Sequence, residues 1–137
     1  AFGRYPHAPA ESSHVPLSPL LAQAAAAWTV SAAALLLLRL TGVPETLALW
    51  LHAMIAPLAF AASSAAYFHR PDTSSPMRVA LLNVAVVALL DLGVIAGLLM
   101  RSWALHTSFA GAWLPLILIF AVTVVVGTRR VPRYHSV

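Results

Sequence analysis

The 137-residue chain is long enough for one small domain. With 61% hydrophobic residues, 9% charged residues and a mean hydropathy of +0.85, it does not have the composition of a soluble domain, in which about a quarter of residues are charged. The sequence has no cysteine, which excludes a disulfide framework and a thiol nucleophile. Its net charge of +4 comes from arginines at the ends of apolar runs and in the tails, where binding to a bilayer explains them better than binding to nucleic acid.

The chain begins with a polar, proline-rich segment. Residues 1–17 are predicted to form an extended N-terminal tail, because prolines alternate there with polar side chains. Ser18 and Pro19 then make a typical N-cap and first-turn pair for a helix at about 19–40. We expect no cleavable signal peptide, since the first apolar run is longer than the core of such a signal.

Three further apolar runs predict helices at about 45–68, 76–101 and 109–127. The second run contains Pro57, which is expected to kink it, and a basic tail at 129–137 follows the fourth. Each run has about 20 apolar residues, enough to cross a bilayer. The sequence therefore predicts an all-α protein with an integral membrane four-helix transmembrane bundle over residues 18–128.

The distribution of arginines predicts the orientation of this bundle. With four crossings, both tails and the second connection lie on one side of the membrane. That side carries most of the arginines, and the other side carries only Arg39 and Arg101. By the positive-inside rule we expect a multi-pass protein of the bacterial inner (cytoplasmic) membrane with both termini in the cytoplasm.

The third run contains Asp91, and a carboxylate at mid-membrane costs roughly 2.5 to 3.5 kcal/mol on insertion scales. This side chain should therefore face protein, water or a cation rather than lipid. Gly93 and Gly97 follow with the GxxxG spacing that lets another backbone approach closely. Because these glycines lie nearly opposite Asp91 on a helix, we expect the third helix to have partners on two faces.

His52, in the second run, is predicted to reach a depth close to that of Asp91, roughly 10 Å against 13 Å from the outer end. The two residues are therefore candidates for an intramembrane polar pair. As a functional site the pair would carry a proton or bind a cation. The alternative, which we favour, is a structural pair in which Arg39 or Arg101 neutralises Asp91. A proton pathway would need ionisable groups between Asp91 and the cytoplasm, and the sequence offers only neutral Asn83 and serines there.

Two packing features accompany this pair. Small residues on the His52 face of the second helix, namely Ala56, Ala59 and Ser63, predict close packing of the third helix against it. A second polar layer is expected nearer the cytoplasm, where five side chains fall at similar depth and can hydrogen-bond across helices: Gln23, Ser63, Ser64, Asn83 and Thr123.

The sequence contains no pattern typical of a catalytic or metal site, so we expect no enzyme and no metal. His52 is a candidate cofactor ligand, because Ala48 and His52 near Trp50 have the spacing by which antenna helices offer a histidine to bacteriochlorophyll. A b-type haem would need a second deep histidine, for which His106 is the outer-side candidate. No cofactor is predicted, and bacteriochlorophyll or haem through His52 is kept as an alternative.

The segment from Leu89-Leu90-Asp91 through Ser108-Phe109-Ala110-Gly111-Ala112-Trp113-Leu114-Pro115 to Thr123 resembles a group of short four-helix bacterial integral membrane proteins of uncharacterised function. The resemblance covers about the last third of the chain, and its most specific elements are Asp91 and Trp113-x-Pro115. It implies the four-helix membrane fold and a common plan that includes Asp91 and Trp113. It implies no activity.

The function that the sequence favours is association. We expect an accessory or scaffold subunit of a larger membrane protein complex, because the GxxxG pair, the small-residue surfaces and the extended tail all suit contact with a neighbour. Its expected partners are the lipid bilayer and other integral membrane proteins, and not nucleic acid. The alternative is a small transporter or proton-linked carrier that uses His52 and Asp91, with Pro57 and Pro115 as flexible points.

Overall fold

The computed structural model describes residues 17–94 and 109–130. Within these ranges the chain forms four apolar helices, each long enough with its flanking turn to cross a membrane: α1 (Leu17–Leu40), α2 (Glu45–Tyr67), α3 (Pro76–Leu90) and α4 (Leu114–Arg130). A π-helical turn continues α3 over 91–94, and another, Phe109–Trp113, leads into α4. The predicted all-α four-helix membrane bundle is confirmed, while Gly97, Arg101 and His106 lie outside the described residues.

Serine–proline pairs precede two of the helices in the sequence, and they act differently. At α3 the Ser75 hydroxyl accepts a hydrogen bond from the Arg78 backbone N–H at 3.4 Å, as an N-cap should. At α1 the expected cap is wrong, because the helix already includes Leu17 and places Ser18 inside it. Pro19 is still in the first turn, where its missing N–H has no helical partner to lose.

The connection between α1 and α2 is short and closed by a glycine. Gly42 has φ of 79°, a left-handed conformation that favours glycine after a helix end. Arg39, in the last turn of α1, forms an ion pair with Glu45 of α2 at 3.2 Å. Arg39 is therefore engaged at this end of the bundle, and the expectation that it neutralises Asp91 is wrong.

The helices follow the order α1, α2, α4, α3 around the bundle. α1 contacts α2 and α3, and α4 contacts the same two helices, but no Cα atom of α2 lies within 8 Å of one in α3. The predicted packing of the small residues of α2 against α3 is thus wrong. Ala56 instead packs with Ala24 and Ala27 of α1, and the Ser63 hydroxyl oxygen lies 2.9 Å from the backbone carbonyl oxygen of Gln23, while Ala59 is half-buried.

The length of the connection between α2 and α3 permits their diagonal placement. Residues 68–75 are enough to cross the end of the bundle. At the same end α4 approaches this connection closely, because a Cβ added to Gly127 would lie 2.6 Å from the Cβ of Pro76 and 2.8 Å from the Cζ of Phe68. Arg130 also contacts His69 there. This end, which carries Arg70, Arg78, Arg129 and Arg130, is called the basic end below.

Candidate functional site

The first buried polar cluster, called the Asn83 layer, joins side chains of all four helices: Gln23 of α1, Ser63 and Ser64 of α2, Asn83 of α3 and Thr123 of α4. Asn83, Ser64 and Thr123 are fully buried. The polar layer predicted from depth along the helices is confirmed.

Hydrogen bonds in the Asn83 layer run from one side of the bundle to the other. Gln23 accepts from the Ser63 hydroxyl at 2.6 Å and donates to the Asn83 Oδ1 at 2.7 Å. The Asn83 amide then donates to the Thr123 hydroxyl at 3.2 Å and to the Ser64 hydroxyl at 3.4 Å. Because apolar surroundings offer no other partners, these bonds favour one register of the four helices.

The second cluster, called the Asp91 layer, comprises Trp28 and Ser31 of α1, His52 of α2 and Asp91. The Trp28 indole N–H donates to the Asp91 Oδ1 at 2.7 Å, and Asp91 begins the π-helical turn that follows α3. Such turns are frequent at functional sites. The carboxylate therefore faces protein, as the cost of placing it in lipid requires.

Trp28 is not one of the candidate site residues that the sequence pattern predicts. It does pack against the apolar core, and it also supplies a donor to Asp91. Depth along the helices could have indicated this contact, because the first and third helices cross the membrane in the same direction. From the predicted outer end of its own helix, Trp28 is roughly 18 Å deep and Asp91 roughly 13 Å deep. A long indole spans that difference.

His52 lies on the inner face of α2 with 8% of its surface exposed. The Ser31 backbone and the Asp91 carboxylate both act electrostatically on its ring, while direct contact between His52 and Asp91 stays a prediction. The ring nitrogen Nδ1 is buried without a partner in the described residues. An unpartnered buried ring nitrogen costs free energy and so calls for an explanation.

An apolar block separates the two polar layers. It is formed by side chains that lie between them along the helices, together with a residue of α4: Ala24, Ala27, Ala56, Phe60, Val87 and Ile119. Phe60 and Ile119 are fully buried. Within the described residues the block interrupts any polar path from Asp91 to the Asn83 layer.

Gly93 faces away from this interior. It is exposed, and a Cβ built on it would meet no atom within 4 Å in the described part of the chain. Its GxxxG partner, Gly97, lies outside the described residues. The close approach that the spacing predicts is therefore not made by any described helix of this chain, and no described residue covers the Gly93 surface.

Among residues 17–94 and 109–130, no group of three or more histidine, aspartate or glutamate side chains is arranged to hold a metal ion. Comparison of the chain with protein-family models, curated proteins and solved structures finds no match. The resemblance of its last third to short bacterial four-helix proteins stays a prediction, and so do its cofactor content and its lack of catalytic activity.

Proposed function

We propose that this small multi-pass membrane protein acts by association, as a non-enzymatic accessory or scaffold subunit of a larger membrane protein complex. The observation that supports this most directly is the closed interior of the described part of the bundle. The Asn83 layer satisfies its own hydrogen bonds, and the apolar block around Phe60 and Ile119 lies across the bundle. The described residues provide no route for a polar substrate through the bundle. We therefore infer that the protein acts through its outer surface, by contact with other proteins.

The outer surface favours contact with apolar partners. Large side chains point outward from several helices, with 58 to 70% of their surface exposed, among them Val30, Leu37, Met54, Leu58, Leu81 and Leu89. Lipid tails satisfy these chains as well as another helix does. Gly93 differs, because only a residue without a side chain lets a neighbouring backbone approach within van der Waals contact. We place the principal contact with a partner protein at the Gly93 surface.

Replacing Gly93 with leucine should remove this contact. We expect at least about a tenfold loss of co-purifying membrane proteins when Gly93→Leu is extracted from its native membrane in mild detergent, because the new side chain prevents backbone approach. Ala88→Leu is the matched control, since Ala88 is also small and exposed but lies on another side of the same helix. Equal partner recovery with both variants would contradict the proposed contact.

The orientation forms part of the proposal. Arg70, Arg78, Arg129 and Arg130 are all exposed at the basic end, whereas Arg39 at the opposite end is paired with Glu45. This asymmetry supports a basic end, and with it both termini, on the cytoplasmic side of a bacterial inner membrane.

A second candidate function is a proton-linked carrier or small transporter. One observation favours it: the Nδ1 of His52 is buried without a partner in the described residues, and the Asp91 carboxylate acts electrostatically on this ring. A neutral imidazole nitrogen can accept a proton, or it can accept a hydrogen bond from a transported ion. Transport would require the apolar block to open, with Pro57 and Pro115 as flexible points.

The carrier predicts a pH-driven flux in proteoliposomes that Asp91→Asn abolishes, because the neutral amide cannot exchange a proton with His52. Glu45→Gln is the control, since Glu45 is an exposed carboxylate at the start of α2, outside both polar layers. Helix content measured by circular dichroism should be unchanged in both variants. Wild-type flux no greater than that of empty liposomes would exclude the carrier.

A further inference from the structure

A cavity of about 240 Å³ lies at the basic end, between the first turn of α1 and the connection from α2 to α3. Its walls are Pro19, Tyr67, Arg70, Pro71 and Asp72. The two polar layers and the Gly93 surface do not include these residues. The cavity therefore has to be explained separately from the proposed association.

The cavity presents charges of both signs. Arg70 and Asp72 are exposed at its edge, and within the described residues neither side chain forms an ion pair. Tyr67 is buried, and its hydroxyl oxygen accepts a hydrogen bond from the Ser74 backbone N–H at 3.2 Å. That bond leaves the hydroxyl proton available to donate. The walls thus offer a guanidinium, a hydroxyl donor and a carboxylate.

The depth of the cavity restricts what can reach it. Tyr67 is the last residue of α2 and Pro19 lies in the first turn of α1, so both mark the end of an apolar span. Tyrosine is typical of the membrane–water interface, where the phosphates of phospholipids also lie. A molecule held at this level is in continuous contact with lipid headgroups.

We propose that this cavity binds the headgroup of a zwitterionic phospholipid that carries a primary ammonium. Arg70 contacts the phosphate, for which the planar guanidinium is well suited, and Asp72 accepts hydrogen bonds from the ammonium. A choline headgroup has no N–H to donate to Asp72, and a glycerol headgroup has no positive charge. The proposal therefore predicts discrimination among headgroups as well as binding.

The test is native mass spectrometry of the full chain in mild detergent, titrated with phosphatidylethanolamine, phosphatidylcholine and phosphatidylglycerol of identical acyl chains. We expect phosphatidylethanolamine to bind about tenfold more tightly than the other two. Arg70→Gln should weaken binding of all three by about tenfold, and Asp72→Asn should reduce the preference for ethanolamine over both choline and glycerol.

The control is Arg78→Gln, because Arg78 is an exposed arginine at the same end that does not line the cavity. All three substitutions are at exposed positions, so the bundle should fold in each. Equal binding of the three lipids, or equal effects of Arg70→Gln and Arg78→Gln, would overturn the proposal.

A soluble phosphate ester has the same chemistry as the lipid headgroup, and a further titration separates the two. Glycerophosphoethanolamine is expected to bind at least about tenfold more weakly than phosphatidylethanolamine, since it lacks the acyl chains that pack on the apolar helices. If it binds as tightly as the lipid, the ligand is a soluble ester and the lipid assignment is overturned.

Discussion

Replacing Asn83 with leucine is expected to lower the free energy of unfolding by about 2 to 4 kcal/mol. Leucine has the same branched shape and number of side-chain heavy atoms, but it removes the acceptor of Gln23 and the donor to Thr123 and Ser64. Interhelical hydrogen bonds contribute about 0.6 kcal/mol each on average in membrane proteins. The larger part of the loss comes from leaving the part-buried Gln23 amide without its Asn83 partner.

Equilibrium unfolding in mixed micelles of mild detergent and dodecyl sulfate, followed by circular dichroism, measures this loss. The double variant Gln23→Leu/Asn83→Leu should recover part of it, because removing both partners costs less than orphaning one. A second comparison uses Thr123→Val, which should destabilise, against Thr128→Val, whose exposed hydroxyl bonds only carbonyls of its own helix. Wild-type stability of Asn83→Leu would contradict a structural role for the Asn83 layer.

Replacing Gly127 with alanine is the second large effect, expected to destabilise the bundle by about 1 to 3 kcal/mol. The added methyl group would lie 2.6 Å from the Cβ of Pro76, which is attached rigidly to the backbone. Separating α4 from the start of α3 would relieve the clash, at the cost of packing at the basic end. The same unfolding assay measures the change.

Gly93→Ala is the matched control for Gly127→Ala, because its new methyl group meets nothing within 4 Å in the described residues. Alanine is a better helix former than glycine by about 0.8 to 1.0 kcal/mol, so this variant should be as stable as wild type or more stable. A Gly127→Ala protein no less stable than Gly93→Ala would contradict the close approach at Pro76.

The number of membrane-spanning helices and the Asn83 layer could be predicted from the sequence. Both depend on position along a helix, and the constant rise per residue converts position into depth. Five polar residues at one depth in apolar runs have few partners besides each other. A serine followed by proline before an apolar run is a less reliable signal: Ser75 is the N-cap of α3, but Ser18 lies inside α1.

The arrangement of helices around the bundle could not be predicted in this way. The helices are apolar on most sides, so hydropathy does not indicate which face of α2 meets which neighbour. The small residues near Ala56 allow close approach of any helix, and α1 rather than α3 takes that place. The contact between Trp28 and Asp91 depends on the reach of a long side chain and on the π-helical turn, neither of which depth alone determines.

The most direct test of action by association is size-exclusion chromatography with light scattering on the wild-type protein, solubilised from its native membrane in mild detergent. Mass spectrometry and a visible absorption spectrum of the peak identify companions and any bacteriochlorophyll or haem at His52. We predict a particle several times larger than one 14.5 kDa chain, with other integral membrane proteins in fixed ratio. A monodisperse single chain without companions would contradict the proposal.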